Sequence, residues 1–400
     1  MKLLCPLAIA ATIASATIGC TKTDSRADDN TFTVQADSLF ASHFAGDGAP
    51  APGATVLIAQ GDSVIYSRSY GVANVDSREP ITDSTLFNIC SISKQFAAIG
   101  ILKLAEEGRL ELDDAITKFM PQLRNPRYKE ITLQHLLSHT SGIPDTRPRT
   151  EAQWKDYTSR HATTFANNHD YRLYCLTYES TKYLVDNDSF GFAPGTAYEY
   201  ENPTYQLMLQ VIEDVTRERF VDWMNANVFA AAGLKETRYF EPETDNSDLS
   251  HAYIPSPETN PYCYPRSADG AWQECDYGEA DFFPTKADGG IYTSARDFLR
   301  WERALIAGKV IADSLVRRAA TPIIATGDPH TYYGLGLFIE KAPGKARKVY
   351  HTGDNGGYLT VEAYFPEKDL FYLVFANRPD WPREKVVTEL DSLLAIHKLI

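Results

Sequence analysis

The chain has 400 residues, 44% hydrophobic and 23% charged, a composition that suits a folded protein with a sizeable core and excludes general disorder. Its formal net charge of −14, with no basic run, argues against nucleic-acid binding, which draws on clustered Lys and Arg to displace counterions. Length allows one large domain or two interleaved ones.

The elements follow in chain order. Met1 and Lys2 precede an apolar stretch from Leu3 to Ile18 that closes on small residues before Cys20, so 1–19 reads as an export signal rather than a folded helix. The ending Thr17-Ile18-Gly19-Cys20 resembles a lipobox, in which Cys20 becomes the lipidated first residue of a bacterial lipoprotein; plain secretion is the alternative. Either places the protein in the bacterial cell envelope, periplasmic or extracellular. Residues 20–30 are small and polar, which suits a tether. Thr31 to Phe44 carries Val34, Leu39, Phe40 and Phe44 near helical spacing. Ala54 to Ala59 and Ser63 to Tyr70 are β-branched runs joined by Gly61-Asp62, the pattern of a hairpin.

From Ile92 a helix runs through Phe96, Ile99 and Leu102 toward Gly108. The middle of the chain, 113–281, alternates helical stretches, among them Thr132 to Leu137 and Tyr205 to Asn225, with Pro- and Gly-bearing loops. Strand patterns return at Tyr333 to Glu340, Arg347 to His351, Leu359 to Phe365 and Phe371 to Ala376, and Glu384 to His397 reads as a last helix. Strands at both ends imply one sheet assembled from 31–112 and 282–400, with 113–281 inserted as a helical domain. Of six cysteines, Cys5 and Cys20 fall in the leader. Cys263 and Cys275 share a loop where export permits a disulfide, with free thiols the alternative, and Cys90 and Cys175 read as buried small hydrophobes.

Chemistry concentrates in three short elements. In Ser91-Ile92-Ser93-Lys94 the hydroxyl and the amine lie three residues apart and share one helix face, so the lysine can serve as base or electrostatic aid to the serine. The helix N-terminus offers free N–H groups and partial positive charge to an oxyanion. Next comes Tyr198-Glu199-Tyr200-Glu201-Asn202. A phenol beside a lysine can take the serine proton and return it to a leaving group, and an Asn amide can hold the lysine or a substrate amide. The third element is His351-Thr352-Gly353-Asp354 on a strand near the C-terminus.

In this order the three resemble the S-x-x-K, Y-x-N and K-T-G elements of the class C β-lactamase-like, penicillin-binding serine hydrolases, a family that includes esterases and D-amino-acid peptidases. LELDDAITKFMP at Leu110–Pro121, LLSHTSGIP at Leu136–Pro144, the run from Gly289 to Asp297, and Tyr333 to Gly336 resemble further landmarks, so the likeness spans Thr31 to Ala376. It implies an α/β fold of the β-lactamase/DD-peptidase type: an antiparallel sheet flanked by helices beside an inserted all-helical region. It implies Ser91 as acylating nucleophile, with Lys94 and Tyr200 moving protons. Asn202, His351, Thr352 and Gly353 then position the substrate, and the amides of Ser91 and Asp354 form the oxyanion hole. Neither a metal nor an organic cofactor is expected, and the partner is a small-molecule or peptide substrate.

Departures from the family pattern matter as much. His351 stands where β-lactamases carry a lysine that grips the substrate carboxylate, and a neutral imidazole grips it less. That favours an ester or a D-amino-acid amide or peptide over a β-lactam. Asp354 follows the glycine where a small neutral residue is common, and an anion beside an oxyanion is unhelpful unless its side chain points away. Together these departures motivate an alternative, a penicillin-binding or sensor lipoprotein of the same fold that does not turn over. The Tyr- and Arg-rich segment 145–191 matches nothing in the family and is expected to wall the cleft. His139 reads as a structural hydrogen-bonding residue.

Overall fold

The computed structural model describes residues 25–46, 48–145, 184, 189–241, 244–256, 264–265, 271–276, 282 and 285–400. The expected signal 1–19, Cys20, Cys175, Cys263 and most of 145–191 lie outside these residues, and with Cys263 goes any view of its pairing with Cys275.

Helix α1 (Ser25–Phe44) begins inside the segment read as a tether. Its buried face is Phe32, Ala36, Phe40 and Phe44, four residues apart and therefore one above another on the helix. Val34, half a turn away from that stripe, is 59% exposed rather than packed on the sheet. β1 (Ala54–Gln60) and β2 (Ser63–Tyr70) form the expected hairpin, closed at Gly61-Asp62 with Gly61 at φ +56°. Short strands β3 (Val72–Asn74), β4 (Glu79–Pro80) and β5 (Phe87–Asn88) lead to α2 (Ser93–Glu106). Then come α3 (Leu133–Leu137), α4 (Asn202–Thr216), α5 (Phe220–Met224) and α6 (Ala230–Ala232). Strands β6 (Arg238–Tyr239), β7 (Tyr253–Pro255), β8 (Tyr264–Pro265), β9 (Trp272–Asp276) and β10 (Ile291–Thr293) follow, then α7 (Ala295–Ile306) and α8 (Asp313–Ala319). The chain closes with β11 (Ile324–Ala325), β12 (Thr331–Tyr333), β13 (Phe338–Glu340), β14 (Lys348–Asn355), β15 (Tyr358–Phe365), β16 (Leu370–Ala376) and α9 (Arg383–Ile396).

Eight strands make one antiparallel sheet in the order β11-β12-β13-β14-β15-β16-β1-β2. Both ends of the chain meet in it, because β1 pairs with β16 from Ala54 opposite Ala376 to Gln60 opposite Leu370. Strand alternation then sorts the core. Val56, Ile58, Tyr372 and Val374 face α1 and α9, meeting Phe40 and Leu390, whereas Leu57, Phe371 and Phe375 face the layer that holds Phe96 of α2 and Phe298 of α7. Helices cover both faces, which is why β16 (Leu-Phe-Tyr-Leu-Val-Phe-Ala) is buried at every position instead of alternating apolar and polar.

Two expectations about elements need correction. The segment 113–281 is not helical throughout: β7, β9 and β8 form a small sheet of their own, built from aromatic- and β-branched-rich runs such as Tyr253-Ile254. The single strand read over Tyr333 to Glu340 is two strands, β12 and β13, joined by a turn in which the Gly334 N–H donates to the Leu337 carbonyl. Gly336 sits there at φ +85°, and a Cβ on it would stand 3.0 Å from Ala98 Cβ, so the turn presses onto α2.

Candidate active site

The polypeptide reaches Ser91 through a tight bend. Cys90 adopts φ +53°, a conformation L-residues with side chains rarely hold, and surrounding bonds over-determine it. Its own N–H donates to Asn88 Oδ1 at 2.8 Å, and the Ile89 N–H donates to the Ile291 carbonyl at 3.0 Å. A short 3₁₀ turn, Cys90–Ile92, then runs straight into α2. Ser91 is left half-buried at the helix start, while the Cys90 thiol is fully buried and pushed well up by desolvation, which makes it a packing group.

Lys94 is wholly buried one helical turn on, and its ammonium is surrounded by acceptors. Nζ lies 3.0 Å from Ser91 Oγ, 2.5 Å from Asn202 Oδ1 and 2.7 Å from the Asp288 carbonyl oxygen. A buried cation is costly unless such groups replace its water, and here three elements supply them: the start of α2, the first residue of α4 and the loop before β10. Nζ is also 5.0 Å from the ring centroid of Tyr200 and 5.7 Å from that of Tyr205, within the range of cation–π attraction. Ser91, Lys94, Tyr200 and Asn202 therefore converge in space, although more than a hundred residues separate the first pair from the second.

His139 holds the Tyr200–Asn202 stretch in place. It is fully buried, its ring lies 4.4 Å from that of Tyr200, and its Nδ1 accepts the Glu201 N–H at 3.1 Å. Accepting at Nδ1 requires the neutral tautomer with its proton on Nε2, and burial followed by the nearby Lys94 charge holds its pKa well below the usual value. The structural reading of this residue agrees with that geometry.

β14 brings the third element alongside. Its pairing with β13 ends at Tyr350, so from His351 onward it is flanked by β15 alone among the described strands. His351 is buried; its Nε2 lies 3.1 Å from Tyr333 Oη and its Nδ1 lies 2.6 Å from the Thr352 carbonyl oxygen. A carbonyl only accepts, so Nδ1 carries the proton and Nε2 accepts from the tyrosine. Burial, with Lys94 second, pushes the imidazole down to about 3, so His351 is neutral at physiological pH. The ring is 6.1 Å from that of Tyr200, and Phe338 stacks parallel to Tyr200 at 6.3 Å, giving this wall of the site an uncharged, aromatic character.

Gly353 has a packing reason of its own. A Cβ there would meet Ile89 O at 2.5 Å and Cys90 Cβ at 2.7 Å, so the glycine lets β14 press against the bend that carries Ser91. Thr360 Oγ1, at 2.3 Å, is nearer still, so the protein itself fills the space a side chain would need. Strand alternation puts Thr352 and Asp354 on the face opposite His351. Asp354 is exposed there, with Arg383 and Glu384 of α9 as its charged neighbours, and burial of part of the carboxyl raises its pKa. Its side chain thus turns from Lys94, while Arg383 Nη1 donates to the Gly353 carbonyl at 3.0 Å and steadies the strand.

Sequence reasoning missed Asp288 and Tyr333 as members of the site. Asp288 acts through its main-chain carbonyl, which no side-chain pattern reveals, though it directly precedes the Gly289-Gly290 landmark. Gly290 is required there, since a Cβ would collide with the Thr285 carbonyl at 1.4 Å. Tyr333 belonged to another landmark and is tied to His351 only by the sheet.

A family model described as Beta-lactamase matches residues 40–395. Among curated proteins, Penicillin-binding protein 4* of Bacillus subtilis (strain 168) is 27% identical over 325 residues, covering 80% of this chain and 67% of that protein. Protein flp of Staphylococcus aureus (strain MW2) is 26% identical over 352 residues, covering 87% of this chain and 64% of its own length. The chain thus spans about two thirds of the length of these relatives. Among solved structures, the penicillin binding protein from Bacillus halodurans superposes with a TM-score of 0.71 at 26% identity, covering 90% of this chain and 99% of that one. The D-amino acid amidase from Ochrobactrum anthropi SV3, complexed with L-phenylalanine amide, gives 0.66 at 21% identity over 93% and 99% of the two chains, a likeness of fold alone.

Proposed function

This chain belongs to the beta-lactamase family of serine hydrolases, and from that premise we propose that Ser91 acylates on an ester or a D-amino-acid amide or peptide in preference to a β-lactam. The observation that carries the reading is the buried Lys94 ammonium, held 3.0 Å from Ser91 Oγ by Asn202 and the Asp288 carbonyl.

In the first half-reaction Ser91 Oγ bonds to the substrate carbonyl carbon and its proton passes to the Lys94–Tyr200 pair. The amides of Ser91 and Asp354 receive the oxyanion. Collapse breaks the bond to the leaving group, which takes the proton back, and the acyl group remains on Ser91. Water then attacks the acyl-enzyme by the same route in reverse, giving a free acid and restoring the serine. The edge of β14 beyond Tyr350, along which no other described strand than β15 pairs, suits a substrate that lies there as an added strand.

Substrate preference follows from charge. A lysine at position 351 would offer a fixed cation, whereas the imidazole there is neutral, buried and engaged by Tyr333 and Thr352. The surrounding rings of Tyr200, Tyr333 and Phe338 favour an uncharged group at this wall. Two departures, His351 and Asp354, motivate a protein of the fold that binds without turnover, and with the Asp354 side chain facing α9 the second of them weighs less.

A panel of p-nitrophenyl butyrate, D-alanyl-D-alanine and nitrocefin should give the highest kcat/KM on the ester or the dipeptide, with sustained release of product. Nitrocefin as the best substrate would overturn the preference. A single stoichiometric burst on every substrate would favour the non-turning-over reading.

A further inference from the structure

A second cavity, of about 220 Å³, opens behind the catalytic helix between α2, α7, α8 and the sheet. It reaches α2 through Gln95 and Ile99, and none of Ser91, Lys94, Tyr200, Asn202 or His351 lines it. Most of its wall is apolar, from residues such as Leu305, Val316 and Leu337, and its charged groups are the carboxyls Glu302 and Glu362 together with the ion-paired Asp313 and Arg317 and the guanidinium of Arg347.

Their partners are unequal. Glu362 accepts Gln95 Nε2 at 3.1 Å, and Gln95 is itself fixed by the Trp301 indole N–H at 2.8 Å. Glu302 is only 8% exposed and has no hydrogen-bond partner among the described residues. Of the cations nearby, Arg317 pairs with Asp313 and Arg347 with Glu367 at 3.3 Å, while Arg303 pairs with Asp369 at 2.6 Å and acts on Glu302 by its charge without a hydrogen bond to it among the described residues. Burial pushes the Glu302 carboxyl up to about 7, and burial together with Glu302 raises Glu362 well above the ordinary range. An apolar chamber with this carboxyl on its wall offers an acceptor to a hydrogen-bond donor, and a positively charged donor meets both carboxyls at once. Its volume exceeds the roughly 150 Å³ that suffices for benzene, so an aromatic ring with a short chain fits.

We propose that this cavity binds a small primary amine or guanidine carried on an apolar body, with the cationic head on Glu302 and Glu362 and the body against Leu305, Val316 and Leu337. The site is independent of the acylation chemistry at Ser91 and stands whether or not that reading does.

Isothermal titration of the full chain with 3-phenylpropylamine at pH 8, where Glu302 is ionised, tests it, with neutral 3-phenylpropanol as the comparison ligand. Glu302→Gln keeps the shape and removes the charge, and should weaken the amine about tenfold or more while leaving the alcohol unchanged. Val316→Trp fills the chamber and should abolish binding of both ligands. Circular dichroism verifies that each variant is folded. Absence of amine binding to the wild type, equal amine affinity in wild type and Glu302→Gln, or undiminished binding in Val316→Trp would each overturn the proposal.

Discussion

Replacing Ser91 with alanine is expected to lower kcat on p-nitrophenyl butyrate by roughly 10⁵- to 10⁶-fold, since loss of the nucleophile in a serine hydrolase costs about that much. The change removes one oxygen and no packing group. Lys94 keeps Asn202 Oδ1 and the Asp288 carbonyl as acceptors, so stability should fall by only about 1 kcal/mol, the net worth of one hydrogen bond. A thermal melt close to that of the wild type, beside lost turnover, separates chemistry from folding. Retained turnover in the alanine variant would mean that another residue attacks.

Lys94→Ala is the second large effect, with kcat falling by about 10²- to 10⁴-fold, the usual contribution of a positioned acid–base group. Here stability also suffers. The variant leaves the Asn202 amide oxygen and the Asp288 carbonyl without their buried donor, at roughly 1–3 kcal/mol for each orphaned group. Rate loss alone would therefore not distinguish a catalytic amine from a structural one. Rescue does: methylamine entering the vacated space should restore part of the rate, rising with the concentration of amine, while acetamide of similar size should not. Equal rescue by both, or by neither in a folded variant, would demote Lys94 to a packing role.

The two effects rest on parts of the molecule that were unequally visible in the sequence. Ser91 and Lys94 could be read because a helix fixes the relation of residues three apart, whatever surrounds them. Strands β1, β2, β15 and β16 could be read because their apolar runs are long and bounded by turn residues. The division of Tyr333–Glu340 was hidden, since its strands are three residues each and its turn is stabilised by contact with α2, which is remote in sequence. In α1 the spacing suggested a face of Val34, Leu39, Phe40 and Phe44; packing keeps Leu39, Phe40 and Phe44 and puts Phe32 and Ala36 in place of Val34. Asp354 illustrates a parity effect: once β14 is known to run unbroken to Asn355, alternation alone places that carboxylate opposite His351.

His351 shows how a substitution becomes interpretable only in place. On a strand end an imidazole titrates near its ordinary value, and its charge at neutral pH is ambiguous. Inside this site burial, and after it the repulsion of Lys94, keeps the ring neutral, while the Tyr333 hydroxyl and the Thr352 carbonyl set its tautomer. The neutrality of the group at position 351 is therefore a property of the folded environment, and it is what directs the expectation of substrate away from carboxylate-bearing lactams.

The most direct test is to locate the covalent bond. Brief exposure to a fluorophosphonate, followed by digestion and mass spectrometry, should place a single adduct on the peptide that contains Ser91. An adduct on any other residue, or none after exposure long enough to label a known serine hydrolase, would contradict the account.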